Sequence, residues 1–474
     1  MRGLFRRALP LGAAAVATML ALPATAQAHG IVGKADLPIP VWLFSWAAAI
    51  VLVVSFVALS TMWTTPRLQQ PHLRRLFRLP APVEWLACAL GLLVFAVVIY
   101  SGFDGAQVPV ANFSVDFIYV NFWVGVPIAS VLFGGVFRAL SPWRTVARML
   151  SAALRAVRGG RSWAPLGYPR RLGLWPAAAG IVGFAWLELV YVERDRPSIL
   201  AALSLGYFAL MLAGMLLFGV DEWSERADGF GVYFGLLARL SPLTRDERGW
   251  VCLRRPLSGI TGLEVGPGTI GFICVLIGTT TFDGFSNGGI WRNNEPELQS
   301  LFADLGFHAT PAQELTGSLG MLLCILLIGG VYRLGIAGVK SVSDRYDTDT
   351  LRTKFAHSLV PIGFAYVLAH YFSLFLWNGQ AIIYLASDPL GDGSNIFGTS
   401  GYQIDYHVIS YAGIWYVQVA ALLAGHVGGL MLAHDRALVL YRDQEEAVRS
   451  QYWMLAVMVA FTSFGLWLLS AVGT

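Results

Sequence analysis

Apolar stretches of about twenty residues recur along this chain and limit what it can fold into. The sequence is 56% hydrophobic and only 13% charged, which is more apolar surface than a soluble protein of 474 residues can bury. At 1.5 Å per residue, about twenty helical residues cross the hydrocarbon core of a bilayer. We therefore predict an all-α, polytopic membrane helix bundle. Its ten expected spans are 41–63, 83–101, 117–137, 173–192, 198–219, 262–282, 313–332, 355–377, 408–433 and 451–472.

The N-terminus has the features of a secretory signal peptide. Three arginines within the first seven residues precede an Ala/Leu-rich run, and Ala-Gln-Ala at 26–28 has the A-x-A form of a cleavage site. This predicts a signal peptide over 1–28 and a single transmembrane domain over 29–474. Cleavage would make His29 the first residue, and a terminal amine beside an imidazole is a copper-binding arrangement. A free, exposed terminus is the alternative.

Basic residues are sorted between alternate connections. Of the 33 Lys and Arg, 26 follow the first, third, fifth, seventh and ninth spans, whereas four lie in the segments on the other side. Because cytoplasmic loops are enriched in Lys and Arg, this predicts a multi-pass plasma-membrane protein with both termini outside. The same sorting explains the net charge of +4 without a nucleic-acid partner, so the expected environment is the lipid bilayer.

Two inner connections contain stretches that are too polar to cross a membrane. We expect 139–157 and 228–240 to form amphipathic helices on the inner leaflet, with Arg144, Arg148 and Arg155 facing lipid head groups. Solvated connecting helices are the alternative.

Two short sequences recur and suggest an internal repeat. Phe-Asp-Gly ends a predicted helix at 103–105 and again at 282–284, and Leu-Ser-Pro occurs at 140–142 and 240–242. Duplicated helical units are common in membrane proteins. Unrelated helix ends are the simpler explanation.

Imidazole and carboxylate side chains gather near the predicted outer ends of the spans. Such groups are costly in a membrane unless they are paired or hydrated, so they indicate functional sites. The eighth and ninth spans are antiparallel neighbours, which would bring His370 near His407 and Asp405. Mixed ligands of this kind bind Zn²⁺, Mn²⁺, Co²⁺ or Cu²⁺, and a bound metal ion can activate water. The candidate metal ligands are His370, His407, Asp283, Asp104 and His29, and the candidate catalytic carboxylates are Asp405 and Glu188.

Each of these residues also has a structural explanation. His370 can form a hydrogen bond between helices beside Tyr366, and the aspartates can cap helices or lie in solvated loops. No CxxC or HExxH spacing is present. His357 and His370 are thirteen residues apart, which places them on different helix faces and disfavours a haem pair. His426 lies among glycines, which indicates close helix packing or a proton relay.

The start of the mature chain reads AHGIVGKADLPIPVWLF over residues 28–44. Together with the arrangement of spans, this segment resembles bacterial integral-membrane proteins labelled fenitrothion hydrolase-like, which are widespread in actinobacteria. The resemblance covers the mature chain and implies hydrolysis of an organophosphate triester at a membrane site. It supplies no catalytic motif, so the residue roles above are inferred from the sequence.

Three functions are compatible with these residues. The first is a membrane-embedded, metal-dependent hydrolase that takes a small organophosphate ester from the outer face. The second is a transporter or copper-handling protein, in which His29 captures the metal ion and His370, His426 and His357 mark a path inward. The third is a subunit that binds another membrane protein or a second copy of itself.

Overall fold

The computed structural model describes residues 41–69, 71–159, 166–342, 344–441 and 443–471, the side chains at 41, 42 and 469–471 excepted. This part of the chain is almost entirely helical. The helices are α1 (Val41–Met62), α2 (Ala81–Asp104), α3 (Phe113–Phe133), α4 (Pro142–Val157), α5 (Trp175–Leu189), α6 (Pro197–Phe218), α7 (Val220–Arg226), α8 (Gly229–Ala238), α9 (Thr269–Ser286), α10 (Gly289–Asp304), α11 (Ala309–Lys340), α12 (Thr348–Phe355), α13 (Leu359–Trp377), α14 (Tyr411–Leu440), α15 (Gln444–Arg449) and α16 (Tyr452–Ala471). Single turns lie at Pro109–Ala111, Phe137–Leu140, Ala356–Ser358, Asn378–Ala381 and Ile382–Leu385.

Within the described residues, nine helical segments are long and apolar enough to cross a membrane. They coincide with nine of the predicted spans, which confirms an all-α polytopic bundle. The remaining prediction, 173–192, corresponds to α5, whose 15 residues fall short of that length. One end of α5 is held to the start of α9 by a 2.9 Å bond from Leu174 N to Pro267 O. At the other end, Glu188 interacts electrostatically with Asp283 of α9. The two helices therefore run side by side over the same depth.

Several helix ends differ from the boundaries predicted from hydropathy. The helices α11 and α14 continue to Lys340 and Leu440, because a helix does not have to end where its residues become polar. The helix α9 begins only at Thr269, because Gly268 before it has a φ of +79°, which interrupts a right-handed helix. The helix α3 is α-helical at both ends and π-helical over Phe117–Gly125.

The helix α8 lies inside the bundle, so the prediction that 228–240 rests on the inner leaflet was wrong. Its aromatic residues Phe230 and Phe234 pack edge-on against Phe122 of α3, at ring-centroid distances of 4.8 and 5.4 Å. Apolar side chains surround this helix on all faces, which favours burial over an interfacial position. Gly229 allows the close approach to α5, because a Cβ there would lie 3.1 Å from the Ala177 carbonyl oxygen.

The segment 139–157 contains α4, whose first turn is buried against the protein. Arg144 was expected to face lipid head groups, and that expectation was wrong. Its guanidinium group instead binds Asp221 of α7 at 2.7 Å, with its side chain only 10% exposed. A nearby carboxylate is a stronger partner than a mobile head group for a partly buried arginine.

A small antiparallel sheet joins two inner connections. Its strands are β1 (Arg74–Arg78), β2 (Leu243–Arg245) and β3 (Trp250–Leu253), in the order β1–β3–β2. Strands of three to five residues in Arg-rich loops carry too little alternation to be predicted from sequence. The sheet ties the connection after α1 to the one before α9.

The centre of the bundle is formed by α9 and the antiparallel pair α13–α14. Glycines of α14 lie against α13, and two of them bring the backbones together. A Cβ on Gly425 or Gly429 would lie 2.7 Å from the carbonyl oxygen of Pro361 or Ser358, respectively. These three helices position the ionisable residues that the sequence singled out.

Candidate functional site

A carboxylate–imidazole pair lies buried between α9 and α13. The Oδ2 atom of Asp283 is 2.8 Å from Nε2 of His370, and the two side chains are 1% and 6% exposed. The Tyr371 hydroxyl is a further hydrogen-bond partner of Asp283. An isolated ionised group in such apolar surroundings would be strongly unfavourable, and pairing offsets that cost. The structure thus joins two residues that the sequence identified independently.

The far side of the His370 ring faces a small space. Gly284 follows Asp283, and a Cβ at this glycine would lie 3.8 Å from His370 Nδ1. A cavity of about 20 Å³ adjoins the ring there. About 10–15 Å³ of such volume is enough for one water molecule. The cavity is lined by Thr280, Gly284, Tyr366, Ala369, His370, Leu422, Gly465 and Leu468.

Glu188 lies close to this pair at the last turn of α5. Its side chain is buried, and it interacts electrostatically with Asp283, Tyr371 and Tyr233. Its Oε2 atom has no hydrogen-bond partner. The sequence proposed Glu188 as a catalytic carboxylate, and the structure places it beside the Asp283–His370 pair.

Asp405 and His407 lie apart from the buried pair. The side chain of His407 is 97% exposed, and its Nδ1 is 3.7 Å from Asp405 Oδ1. Asp405 accepts a bond from the His407 backbone N–H at 2.7 Å, while its own backbone N–H bonds to Gln380 Oε1 at 3.0 Å. The expected approach of His407 to His370 is therefore not formed, because the loop from 378 to 410 holds its end on the surface.

Asp104 also lies apart from the pair. It is the last residue of α2 and is exposed, whereas Asp283 lies within α9 and is buried. The two Phe-Asp-Gly sequences thus occupy different environments. His29 lies outside the described residues.

The side chains that come together offer few metal ligands. In the part of the chain that is described, no group of three or more His, Cys, Asp or Glu side chains could hold a metal ion. Catalytic zinc sites use about three protein ligands, and here Asp283 and His370 already bond to each other. The arrangement does not fit the expected metal centre, and a requirement for a metal ion stays a prediction.

Further histidines line the interface between α13 and α14. His426 is fully buried, its Nδ1 is 2.8 Å from the Leu422 carbonyl oxygen, and its Nε2 has no partner. Its ring lies 6.1 Å from the ring of Tyr366, which also lines the cavity beside His370. His357 is 2% exposed, in the turn before α13. The buried histidines therefore lie at successive depths along one helix interface.

His434 directly follows the ninth predicted span, 408–433, and the structure buries it. His434 and Asp435 are both 0% exposed. The ring of His434 lies 2.9 Å from the Trp63 carbonyl oxygen and 3.2 Å from Gln451 Oε1. The run His-Asp-Arg looked like a helix end because it is polar, but α14 continues past it.

Three comparisons with known proteins give no family. No protein-family model matches the chain, and neither a curated protein nor a solved structure matches it. The fold and the buried polar residues are thus the basis for a functional proposal.

Proposed function

We propose that this protein passes protons, or another small cation, through its helix bundle. The supporting observation is the series of buried ionisable groups along the α13–α14 interface, with the Asp283–His370 pair towards one end and His357 towards the other. Ionisable residues inside a membrane bundle are rare and mark ion pathways and proton relays.

The Asp283–His370 pair has the chemistry of a proton-binding station. An imidazole ring can take a proton on one nitrogen and give one up from the other, and a bonded carboxylate orients the ring. The adjoining cavity has room for a water molecule that could deliver or remove the proton. Tyr366 lines that cavity and its ring approaches His426, which gives a next group in the series.

Purified protein in liposomes with an internal pH-sensitive dye tests this proposal. With an imposed membrane potential, we expect the wild type to change the internal pH and Asp283→Asn and His370→Gln to lower that rate at least tenfold. His407→Gln is the matched control, since that side chain is 97% exposed. Equal rates for empty liposomes and wild type would overturn the proposal. Copper uptake that depends on His29 would instead favour metal handling.

A second candidate, hydrolysis of an organophosphate ester, is favoured by one observation. Asp283 bonds to Nε2 of His370, while Nδ1 faces the side with room for a water molecule. This is the arrangement of a general base and the residue that orients it. In that reaction His370 Nδ1 would take a proton from water, the oxygen of water would bond to phosphorus, and the phenolate would leave.

Release of a phenol from a fluorogenic phosphotriester by protein in nanodiscs tests the second candidate. We expect activity to be lost in His370→Gln and to be kept in His407→Gln. Loss of activity on chelation would indicate that the reaction requires a metal ion. Loss of activity in Asp405→Asn would indicate that Asp405 takes part, as the sequence predicts. Undiminished activity in His370→Gln would exclude His370 as the base.

A further inference from the structure

Glu188 combines deep burial with an unsatisfied oxygen. The residue is 6% exposed, and Oε2 neither touches solvent nor accepts a hydrogen bond. Buried carboxyl groups are normally paired or hydrogen-bonded, because an uncompensated charge or polar atom is unfavourable in an apolar interior. A hydrogen-bond partner for Oε2 is therefore expected to come from outside the polypeptide.

Two neighbouring side chains have the same deficit. The hydroxyl of Tyr233, on α8, and the Nε1 atom of Trp123, on α3, are buried without a hydrogen-bond partner. Their rings lie 5.3 Å apart, and Tyr233 interacts electrostatically with Glu188. Trp123 Nε1 also lies close to the Tyr371 hydroxyl, which is a hydrogen-bond partner of Asp283. Three helices thus direct unsatisfied polar atoms into one region.

The chemistry of these atoms selects their partner. The indole N–H only donates, a tyrosine hydroxyl donates and accepts, and a carboxyl oxygen accepts. A metal cation cannot bind an indole N–H, and an anion would be repelled by the carboxylates. Water can accept from Trp123 and donate to Glu188, and buried water molecules typically make about three such bonds.

We propose that Glu188 carries a proton and binds ordered water together with Tyr233 and Trp123, forming a second proton-binding station beside Asp283–His370. This inference extends the proposed proton path. Because Asp283 and Glu188 interact electrostatically, a proton on one of them removes the repulsion between two negative charges, so the two sites are coupled. The titratable and charged groups around Glu188 are Asp283 of α9, His370 and Tyr371 of α13, Tyr233 of α8, Tyr119 of α3, Glu314 of α11 and Arg194 and Asp195 beyond α5.

Infrared spectroscopy of the full chain in nanodiscs tests the proposal through the carboxyl group itself, by subtracting the spectrum of isotope-labelled protein from that of unlabelled protein. We expect a carbonyl stretch of a protonated carboxylic acid at pH 7. It should shift when glutamate is labelled with ¹³C at the side-chain carboxyl carbon and stay in place when aspartate is labelled. The labelling needs no substitution, so it is independent of folding in any variant. A band that shifts with aspartate, or no band at all, would overturn the assignment.

Two variants locate the group and its water. Glu188→Gln should remove the band, and Glu297→Gln, at an exposed position on α10, should keep it. Tyr233→Phe should remove a weakly hydrogen-bonded water O–H band that shifts in H₂¹⁸O. If that water band is unchanged, no water lies between these groups. A carboxyl band without proton flux in liposomes would contradict the proton path proposed above but would still support a protonated Glu188.

Discussion

Asp435 is the most heavily hydrogen-bonded carboxylate in the described chain outside the candidate site. It lies on α14 with no exposed surface and accepts bonds from Arg67 N at 2.5 Å, Gln69 Nε2 at 2.6 Å and Trp63 Nε1 at 3.1 Å. Leu68 N adds a further donor at 3.2 Å. These bonds fasten the segment after α1 onto the centre of the bundle. Since every donor is part of that segment, the role of Asp435 is structural.

Asp435→Asn should destabilise the protein clearly. Asparagine keeps only one acceptor oxygen, so at least Gln69 Nε2 loses its acceptor and faces another donor, which costs about 1–3 kcal/mol. We expect a lower midpoint of thermal unfolding in detergent. Asp344→Asn, at a side chain that is fully exposed, should leave that midpoint nearly unchanged. Equal midpoints for the two variants would contradict this role.

Asp221 provides a pH-dependent contact outside the membrane-spanning helices. Burial alone would raise its pKa, but the hydrogen bond and charge of Arg144, with the charge of Arg138, lower the pKa below its usual value. A carboxyl group with a lowered pKa stabilises the fold above its unfolded pKa of about 3.9, and that stabilisation is lost as the pH falls through the lowered value.

We therefore expect Asp221→Asn to be less stable than the wild type at pH 7, and the difference to shrink below about pH 4. The difference should be only about 0.5 kcal/mol, because Asp221 is 66% exposed and solvent screens the pair. Chemical unfolding of both proteins across that pH range measures it. A difference that grows on acidification would have the wrong sign for an ion pair.

His370 and Asp283 could be selected from the sequence because ionisable groups in apolar stretches are few. Their pairing could not, since it depends on how α9 and α13 are rotated and placed. The sequence instead joined His370 to His407, which follows it after one loop. That loop contains Gln380, whose bonds to the backbone of Asp405 set its path, and no hydropathy pattern encodes such a contact.

At the scale of helices, the interface between α13 and α14 depends on glycines rather than on interlocking large side chains. A methyl group on Gly425 would collide with Ala365 and with the Pro361 carbonyl oxygen. Small residues allow such close approach in membrane bundles, where lipid removes the hydrophobic drive for helices to associate. The same close approach sets the distance between the buried histidines.

Gly425→Ala should separate these helices and destabilise the protein by about 1–3 kcal/mol, which is typical of overpacking. The matched control is Gly329→Ala in α11, where an added Cβ meets nothing within 4 Å. There, alanine should be neutral or stabilising by up to about 1 kcal/mol, because it favours helix. Thermal unfolding of both variants in detergent is the measurement. A Gly425→Ala protein as stable as the control would show that the helices can move apart freely.

Which elements could be predicted follows from the length of their signal. Apolar runs of about twenty residues are long enough to indicate transmembrane helices and too long for most other structures, so these helices could be predicted from the sequence. The helix α8 has ten residues, and its composition suits either a membrane surface or a protein interior. Its tertiary neighbours decide between the two, among them Phe122 and Phe184, whose rings lie 4.8 and 5.2 Å from that of Phe230.

For the whole molecule, the distribution of Lys and Arg predicts which side of the bundle faces the cytoplasm. The Asp283–His370 pair and Glu188 lie towards the side predicted to be outside, whereas Asp435 and the small sheet lie towards the other. Access to the candidate site from outside the cell thus rests on this orientation.

Cysteine labelling in intact cells checks the orientation. A membrane-impermeant maleimide should react with Ser394→Cys directly and with Asp344→Cys only after the membrane is opened. Asp344 is exposed and Ser394 is partly exposed. Of the four native cysteines, Cys252, Cys274 and Cys324 are buried and Cys88 is partly buried, so the parent chain is the background control. The reverse pattern would place the candidate site on the cytoplasmic side.

The π-helical turns of α3 allow its two ends to present side chains to different sets of neighbours; a regular α-helix of the same length would not align with both. Before Phe117–Gly125, Phe113 packs with Leu200 and Leu385; within it, Trp123 meets Tyr233. Deleting one residue there would favour a regular α-helix but turn one half against the other by about 100°. The shortened chain could therefore keep either the contacts of Phe113 or those of Trp123, but not both.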